Sequence, residues 1–271
     1  MRMALSPDLR QIEKPAIFPT PTHIDEAIQL VRAHVLHHGE GKAPLKAAGG
    51  GFGGSLSHDR SSIVKAPNRP GWENQPLKDK LQHALQVPVY LENDAAIVGL
   101  GEAHTGPGLG KKIVVYITVS TGVGGARIVD GKIDPAYFTF EPGHQIISIG
   151  EKEGDGTPIY GYLEDFVSGA ALEKAFGMPT SEITDPKIWD DVAFFLAIGL
   201  NNVIVHWSPD IIILGGSVMK KIHVDSVKKY LANVLRMYPN LPEIEKADHD
   251  DFGGLYGAAE FLKQQLHAKI S

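Results

Sequence analysis

The run IVVYITVS at Ile113 to Ser120 constrains the fold more than any other feature. A β-branched strand that is apolar along its whole length must be covered on both faces, which calls for a central position in a sheet with helices on either side. It runs into the glycines of TGVGG, and a second apolar strand, Asp210 to Leu214, ends on another glycine pair. Shorter extended segments are expected at Met1 to Leu5, Leu45 to Gly50, Ser62 to Ala66 and Val87 to Leu91. Between them lie helical patterns. Thr22 caps one whose apolar face is Ile24, Ala27, Ile28, Val31 and Val35, ending near His38 and Gly39. Others carry Leu77, Leu81 and Leu85, and Ala96, Leu100 and Ala103. Further helices are expected at about Leu163 to Phe176, Pro186 to His206, Val224 to Tyr238 and Leu255 to His267.

Alternating strands and helices make this an α/β chain. Gly106, Pro107, Gly108 and Gly110 form a linker, so two lobes are expected. Residues 1–107 form a small N-terminal lobe and 108–271 a large C-terminal lobe, with the last helix free to pack back on the small one. Asp130 and Gly131 between Ala126 to Val129 and Lys132 to Asp134 predict a tight hairpin. Gly150 to Gly161, rich in glycine and charge, reads as an exposed loop.

Composition narrows the function. With 43% hydrophobic residues the chain can bury a core. Its 26 Lys and Arg against 32 Asp and Glu give a net charge of −6 with no basic cluster, so the footprint of a nucleic-acid binder is missing. There are no cysteines, which excludes disulfides and thiolate zinc. No stretch reads as approaching the roughly 20 apolar residues that span a bilayer, and Met1 to Arg10 has no signal-peptide pattern. The expectation is a soluble cytoplasmic protein without a nucleic-acid or membrane partner.

The sharpest chemical signal is Asn93-Asp94 at a strand-to-helix junction. Ligands of open α/β sheets bind beyond the carboxyl ends of strands, which would aim Asp94 into a cleft. A plain helix N-cap is the competing reading. In TGVGG, successive glycines let backbone N–H groups approach phosphate oxygens, although a hairpin turn would use them equally well. The strand ending on Leu214 to Gly216 is open to the same two readings.

Together, APNRPGW at Ala66 to Trp72, LENDAA at Leu91 to Ala96, STGVGGARIVDGKI at Ser120 to Ile133, EPGH at Glu141 to His144, YLEDFVSGAAL at Tyr162 to Leu172 and SPDIIILGGSV at Ser208 to Val218 resemble the ROK family of sugar kinases and repressors. The resemblance covers nearly the whole chain. It implies the two-lobed actin-like ATPase (ribonuclease H-like) fold and ATP-dependent phosphorylation of a hexose, at the 6-hydroxyl of glucose or a related sugar. Asp94 matches the family's general base. Asn68, Asn93, Glu141, His144, Glu164 and the loop at Gly51 match sugar contacts. Thr121, Gly122 and Gly124 match the second phosphate loop, and Gly215 and Gly216 the loop against adenosine. ATP and Mg²⁺ are the implied cofactors, with no metal held by protein ligands readable from the sequence, and a homodimer is the implied assembly.

Two departures from the family pattern carry expectations. The family's zinc cysteines are missing and Tyr162 stands where the last is expected, so no structural zinc is expected. MRMALSPDL corresponds to the strand after the family's D-x-G-G-T loop, so the first strand of the small lobe and that loop are expected to be missing. Impaired activity follows from that expectation. A non-catalytic sugar-binding protein is the competing reading. A ROK-type repressor, which needs a helix-turn-helix ahead of the core, is a weaker one.

Overall fold

A computed structural model describes residues 1–39, 41–152 and 158–268. In the N-terminal half, β1 (Arg2–Met3) pairs antiparallel with β2 (Ala16–Ile17). Helix α1 (Ile24–Gly39) places Asp25 and Glu26 in its first turn and His37 and His38 in its last, matching the helix dipole at both ends. It buries Ile24, Ala27 and Ile28 as expected, together with His34, while Val31 and Val35 stay half-buried. Strand β3 (Ala48–Phe52) runs further into the glycines than the sequence suggests. Next come β4 (Ser55–Leu56), β5 (Ile63–Lys65), α2 (Leu77–Leu85), β6 (Val89–Asn93) and α3 (Asp94–Thr105). β3 and β6 pair in parallel, placing Gly51 opposite Glu92 and Phe52 opposite Asn93. Leu77, Val89 and Leu91 close a core with Phe52, Ile63 and Trp72.

The C-terminal half is built on one sheet. Its elements are β7 (Ile113–Val119), β8 (Val123–Val129), β9 (Lys132–Ile133), β10 (Ile146–Lys152), β11 (Pro158–Tyr162), α4 (Leu163–Val167), α5 (Gly169–Phe176), α6 (Pro186–Trp207), β12 (Ile211–Gly215), α7 (Val224–Val234), β13 (Glu243–Lys246) and α8 (Gly253–His267). The order is β13-β12-β7-β8-β9, with β12 parallel to both neighbours and the β7-β8-β9 side antiparallel. β7 is therefore central, as its apolar run requires. Val115, Ile117 and Val119 face a core built with α4, α6 and α7. Val114 and Tyr116, on the other face, meet α3 and α8. The period of two distributes one strand's side chains between two cores, each fully buried Ile or Leu contributing about 2 kcal/mol. Helix α3, though from the N-terminal half, belongs to the second core and meets α8 backbone to backbone. A Cβ on Gly257 would lie 1.7 Å from the Ile97 carbonyl oxygen.

The hairpin expected at Asp130-Gly131 is present, with φ of 49° and 71° at the two positions. Elsewhere the structure corrects local expectations. The glycine-rich stretch read as a loop pairs as β10 and β11, and its residues 153–157 lie outside the described residues. The helix expected over Leu163 to Phe176 breaks at Ser168, whose extended backbone ends α4 and whose Oγ accepts the Ala171 N–H to start α5. Helix α7 stops at Val234, short of Tyr238. β13 was not expected at all. Helix α6, at 22 residues and a mean hydropathy of 1.5, is by length and composition long and apolar enough to cross a membrane, contrary to the sequence reading. In this fold its Val192, Leu196, Leu200 and Val203 pack into the core against the β7 sheet.

Candidate active site

β6 delivers Asn93 and Asp94 to the mouth of a cleft. Asn93 keeps extended backbone and its Oδ1 accepts the Ala96 N–H at 3.2 Å, so Asn93 is the N-cap of α3. Asp94 is the first helical residue, and its Oδ1 accepts the Ala95 N–H at 2.8 Å. The plain-cap reading of Asp94 is thereby displaced onto its neighbour. Asp94 is open to the cleft, yet the surrounding protein thins its solvation and raises its carboxyl above the ordinary 3.8, only partly offset by the Ala95 and Asp94 N–H groups. Gly51 in β3 and Gly53 just after it make room for it. A Cβ on Gly51 would lie 2.7 Å from the Asp94 Cα, and one on Gly53 2.9 Å from Asp94 Oδ2.

A second acidic group comes from the other half. Glu141 precedes a 3-10 turn at Pro142–His144, and Glu164 opens α4. His144 Nε2 stands 3.7 Å from Glu164 Oε1. Glu164 Oε2 sits 3.4 Å from the Val123 N–H, between glycines: a Cβ on Gly122 would meet it at 3.3 Å and one on Gly143 at 3.2 Å. Glu141 is raised from 4.5, first by burial. The Thr139 hydroxyl, which donates to Glu141 at 3.0 Å, and His144 pull it back, while Glu164 and Asp94 push it up. Asp94 and Glu141 therefore sense one another's charge.

Gly51, Asn68, Asp94, Gly215 and Gly216 line one cleft of about 1040 Å³ between the halves. Glu141, His144 and Glu164 cluster beside the Ser120–Gly122 turn, outside that lining, and Asn93 turns its side chain to the Ala96 N–H and the Gly54 carbonyl. Thr121 and Gly122 sit in the exposed turn between β7 and β8, whereas Gly124 lies inside β8 opposite Thr118. The hairpin reading of TGVGG is thus right for its geometry, and the turn still faces the site.

At the ends of β7 and β12 the backbones approach closely. A Cβ on Gly215 would lie 2.3 Å from the Tyr116 hydroxyl, and one on Gly216, at φ +97°, 2.3 Å from the Val119 carbonyl. Only glycine presents bare backbone there, which is what a loop must offer a nucleotide at close range. The Ser120 and Ser217 hydroxyls, 3.1 Å apart, link the two turns. Thr118 and Ser120 also line the cleft and were missed in the sequence. Their signal was a hydroxyl breaking an otherwise apolar strand, and a hydroxyl at its carboxyl end.

The sequence profile of the ROK family matches residues 1–265, and the chain belongs to that family. It is 32% identical to a fructokinase of Lactococcus lactis subsp. cremoris over 71% of this chain and 68% of that one. Among solved structures, the ROK hexokinase from Thermus thermophilus superposes with a TM-score of 0.79 at 26% identity, over 95% of this chain and 93% of that one. A ROK glucokinase from Streptomyces griseus, solved with glucose and AMPPNP, gives 0.78 at 24% identity over 97% and 96%. The fold is that of the two-lobed actin-like ATPases, and the relatives are sugar kinases.

Proposed function

We propose that this protein phosphorylates the 6-hydroxyl of glucose or a related hexose from ATP, with Asp94 as general base. One observation carries the reading: Asp94 is free of the capping role, open to the cleft, and packed so close to β3 that a side chain at Gly51 would strike its backbone. A carboxylate with a raised pKa is better matched to accepting a hydroxyl proton than an ordinary one. Glycine-lined turns at Ser120–Gly122 and Gly215–Ser217 fit the donor nucleotide. The bound nucleotide supplies the phosphoryl group, and its Mg²⁺ neutralises charge. Asp94 takes the sugar's hydroxyl proton as that oxygen becomes the nucleophile. Asn68, Asn93, Glu141, His144 and Glu164 hold the remaining hydroxyls, with Gly51 leaving the sugar room. Thr121, Gly122 and Gly124 face the phosphates, and Gly215 and Gly216 the adenosine.

A coupled ADP-release assay across glucose, mannose, fructose and N-acetylglucosamine tests this. Turnover on at least one hexose, lost in Asp94→Asn, supports it; sugar binding by calorimetry with no turnover would favour the non-catalytic alternative.

Lobes at 1–107 and 108–271, a cytoplasmic location and a homodimer complete the reading, the last tested by light scattering.

A further inference from the structure

The turn Ser57–Ser62, which joins β4 to β5, holds Arg60 in left-handed backbone at φ 58°. A branched-out arginine gains nothing locally from that conformation, which glycine or asparagine adopts with less strain. The turn is locked from within. Ser57 Oγ donates to Asp59 Oδ1 at 2.6 Å and accepts the N–H groups of Ser61 and Ser62 at 3.1 and 3.0 Å. Ser61 Oγ donates to the same carboxylate oxygen at 2.8 Å. These hydroxyls hold the Asp59 carboxyl down to about 2, so it stays ionised.

What the strained residue does lies on β6, in a neighbouring strand pair. Arg60 Nε donates to Glu92 Oε1 at 2.8 Å, and Nη1 reaches back to the Ser57 carbonyl at 3.3 Å. The same Glu92 oxygen accepts the Asn93 backbone N–H at 2.9 Å. Both side chains are largely shielded, at 21% and 13% exposure, unlike the solvated ion pairs that contribute nothing measurable. Glu92 is the last residue before the Asn93-Asp94 tip, and Asn93 caps the helix on which Asp94 is first.

We propose that Arg60 and Glu92 are positioning residues: the guanidinium fixes the Glu92 carboxylate, Glu92 fixes the Asn93 amide, and the β4–β5 turn thereby sets where Asp94 stands. The inference rests on the reading of Asp94 as the base. It gives the strain at Arg60 a purpose, since backbone strain persists where the surroundings over-determine it and clusters near sites.

Arg60→Gly is the informative variant, because it removes the strain and the guanidinium together. It should fold, melting somewhat below the parent because relief of the strain offsets only part of the lost ion pair, yet turn over about tenfold more slowly, with the KM for nucleotide unchanged. Glu92→Ala should lose a similar factor, the double variant no more than Glu92→Ala alone, and Glu92→Gln, which can still accept the Asn93 N–H, should recover part of the loss. Hydrogen exchange in the segment 89–96 should quicken in Arg60→Gly. Parental turnover in Arg60→Gly, beside an inactive Asp94→Asn, overturns the brace and leaves the base in place, as would losses that multiply in the double variant. If Asp94→Asn keeps its turnover, the base reading fails, and exchange then decides the brace alone: quickened exchange upholds it and unaltered exchange sinks it.

Discussion

Asp94 and Glu141 carry the same functional group on the two halves of the molecule and are held in different ways. Asp94 rides on a strand-to-helix junction, crowded by Gly51 and Gly53, with a backbone N–H as its partner. Glu141 enters from a loop, takes a hydroxyl from Thr139 and sits near the His144–Glu164 pair. Loss of solvation beside the surrounding protein raises both, the first from 3.8 and the second from 4.5. The difference fits the two roles proposed for them. A group that must hold one position against a reacting atom is fixed by backbone, whereas groups that must hold a ligand's hydroxyls are joined in a network of side chains.

The largest effect that can break this contrast is Asp94→Asn. Loss of a general base lowers turnover by about 10²- to 10⁴-fold, with the sugar KM little changed. Its stability should not fall with it. A carboxyl raised by folding contributes stability fully below its ordinary pKa, and that contribution is lost as pH rises through the folded value. At neutral pH the ionised Asp94 therefore adds no stability, and Asp94→Asn should melt no lower than the parent in a calorimetric scan. A variant that is both inactive and less stable would mean that Asp94 is structural.

The pH profile comes next. With Asp94 as the proposed base, kcat/KM should fall about tenfold per pH unit on the acid side, with the break above 3.8 because the surrounding protein thins the solvation of the group. A break at or below 3.8 in the kcat/KM profile, which reports the free enzyme, would assign the ionisation to a fully solvated carboxylate. Gly51→Ala follows: its Cβ would meet backbone at 2.7 Å, which cannot swing aside, so the tip must move. Overpacking of this kind destabilises by about 1–3 kcal/mol, and turnover should fall about tenfold. Glu164→Gln should act on the other arm of the comparison, raising the sugar KM about tenfold while kcat stays within about twofold. Steady-state rates that showed the reverse split would exchange the roles assigned to the two groups.

Much of this was legible before any coordinates. The central position of β7 follows from a strand with no polar face, and the hairpin at Asp130-Gly131 from two residues suited to positive φ. The features that escaped have physical reasons. β13, with only Ile244 buried among charged neighbours, has no strand signal of its own and exists because β12 offers it an edge. Glycines in the β10–β11 hairpin suggested a loop because propensity is silent about pairing. At the site, the motif residues were visible, but the cap belongs to Asn93 and the room for Asp94 belongs to Gly51 and Gly53, both set by contacts made across the fold. The Arg60–Glu92 pair spans 32 positions and no spacing rule predicts it.

The smallest expected effect concerns how the two arms meet. His58, in the same turn as Arg60, stacks on Tyr137 at 4.5 Å between ring centroids, and its Nδ1 lies 3.4 Å from the Tyr137 carbonyl oxygen. Tyr137 belongs to the loop that leads to Glu141, so this contact joins the element behind Asp94 to the element carrying the second acid. Tyr137 is 66% exposed, and an exposed aromatic contact contributes little: about 0.5 kcal/mol, or a twofold change in the sugar KM on Tyr137→Ala. Because the ring touches neither acid, kcat and the acid break in the pH profile should stay where they are. Movement of that break in Tyr137→Ala would show that the two arms are mechanically one unit, and the distinction between a fixed base and a networked sugar grip would have to be abandoned.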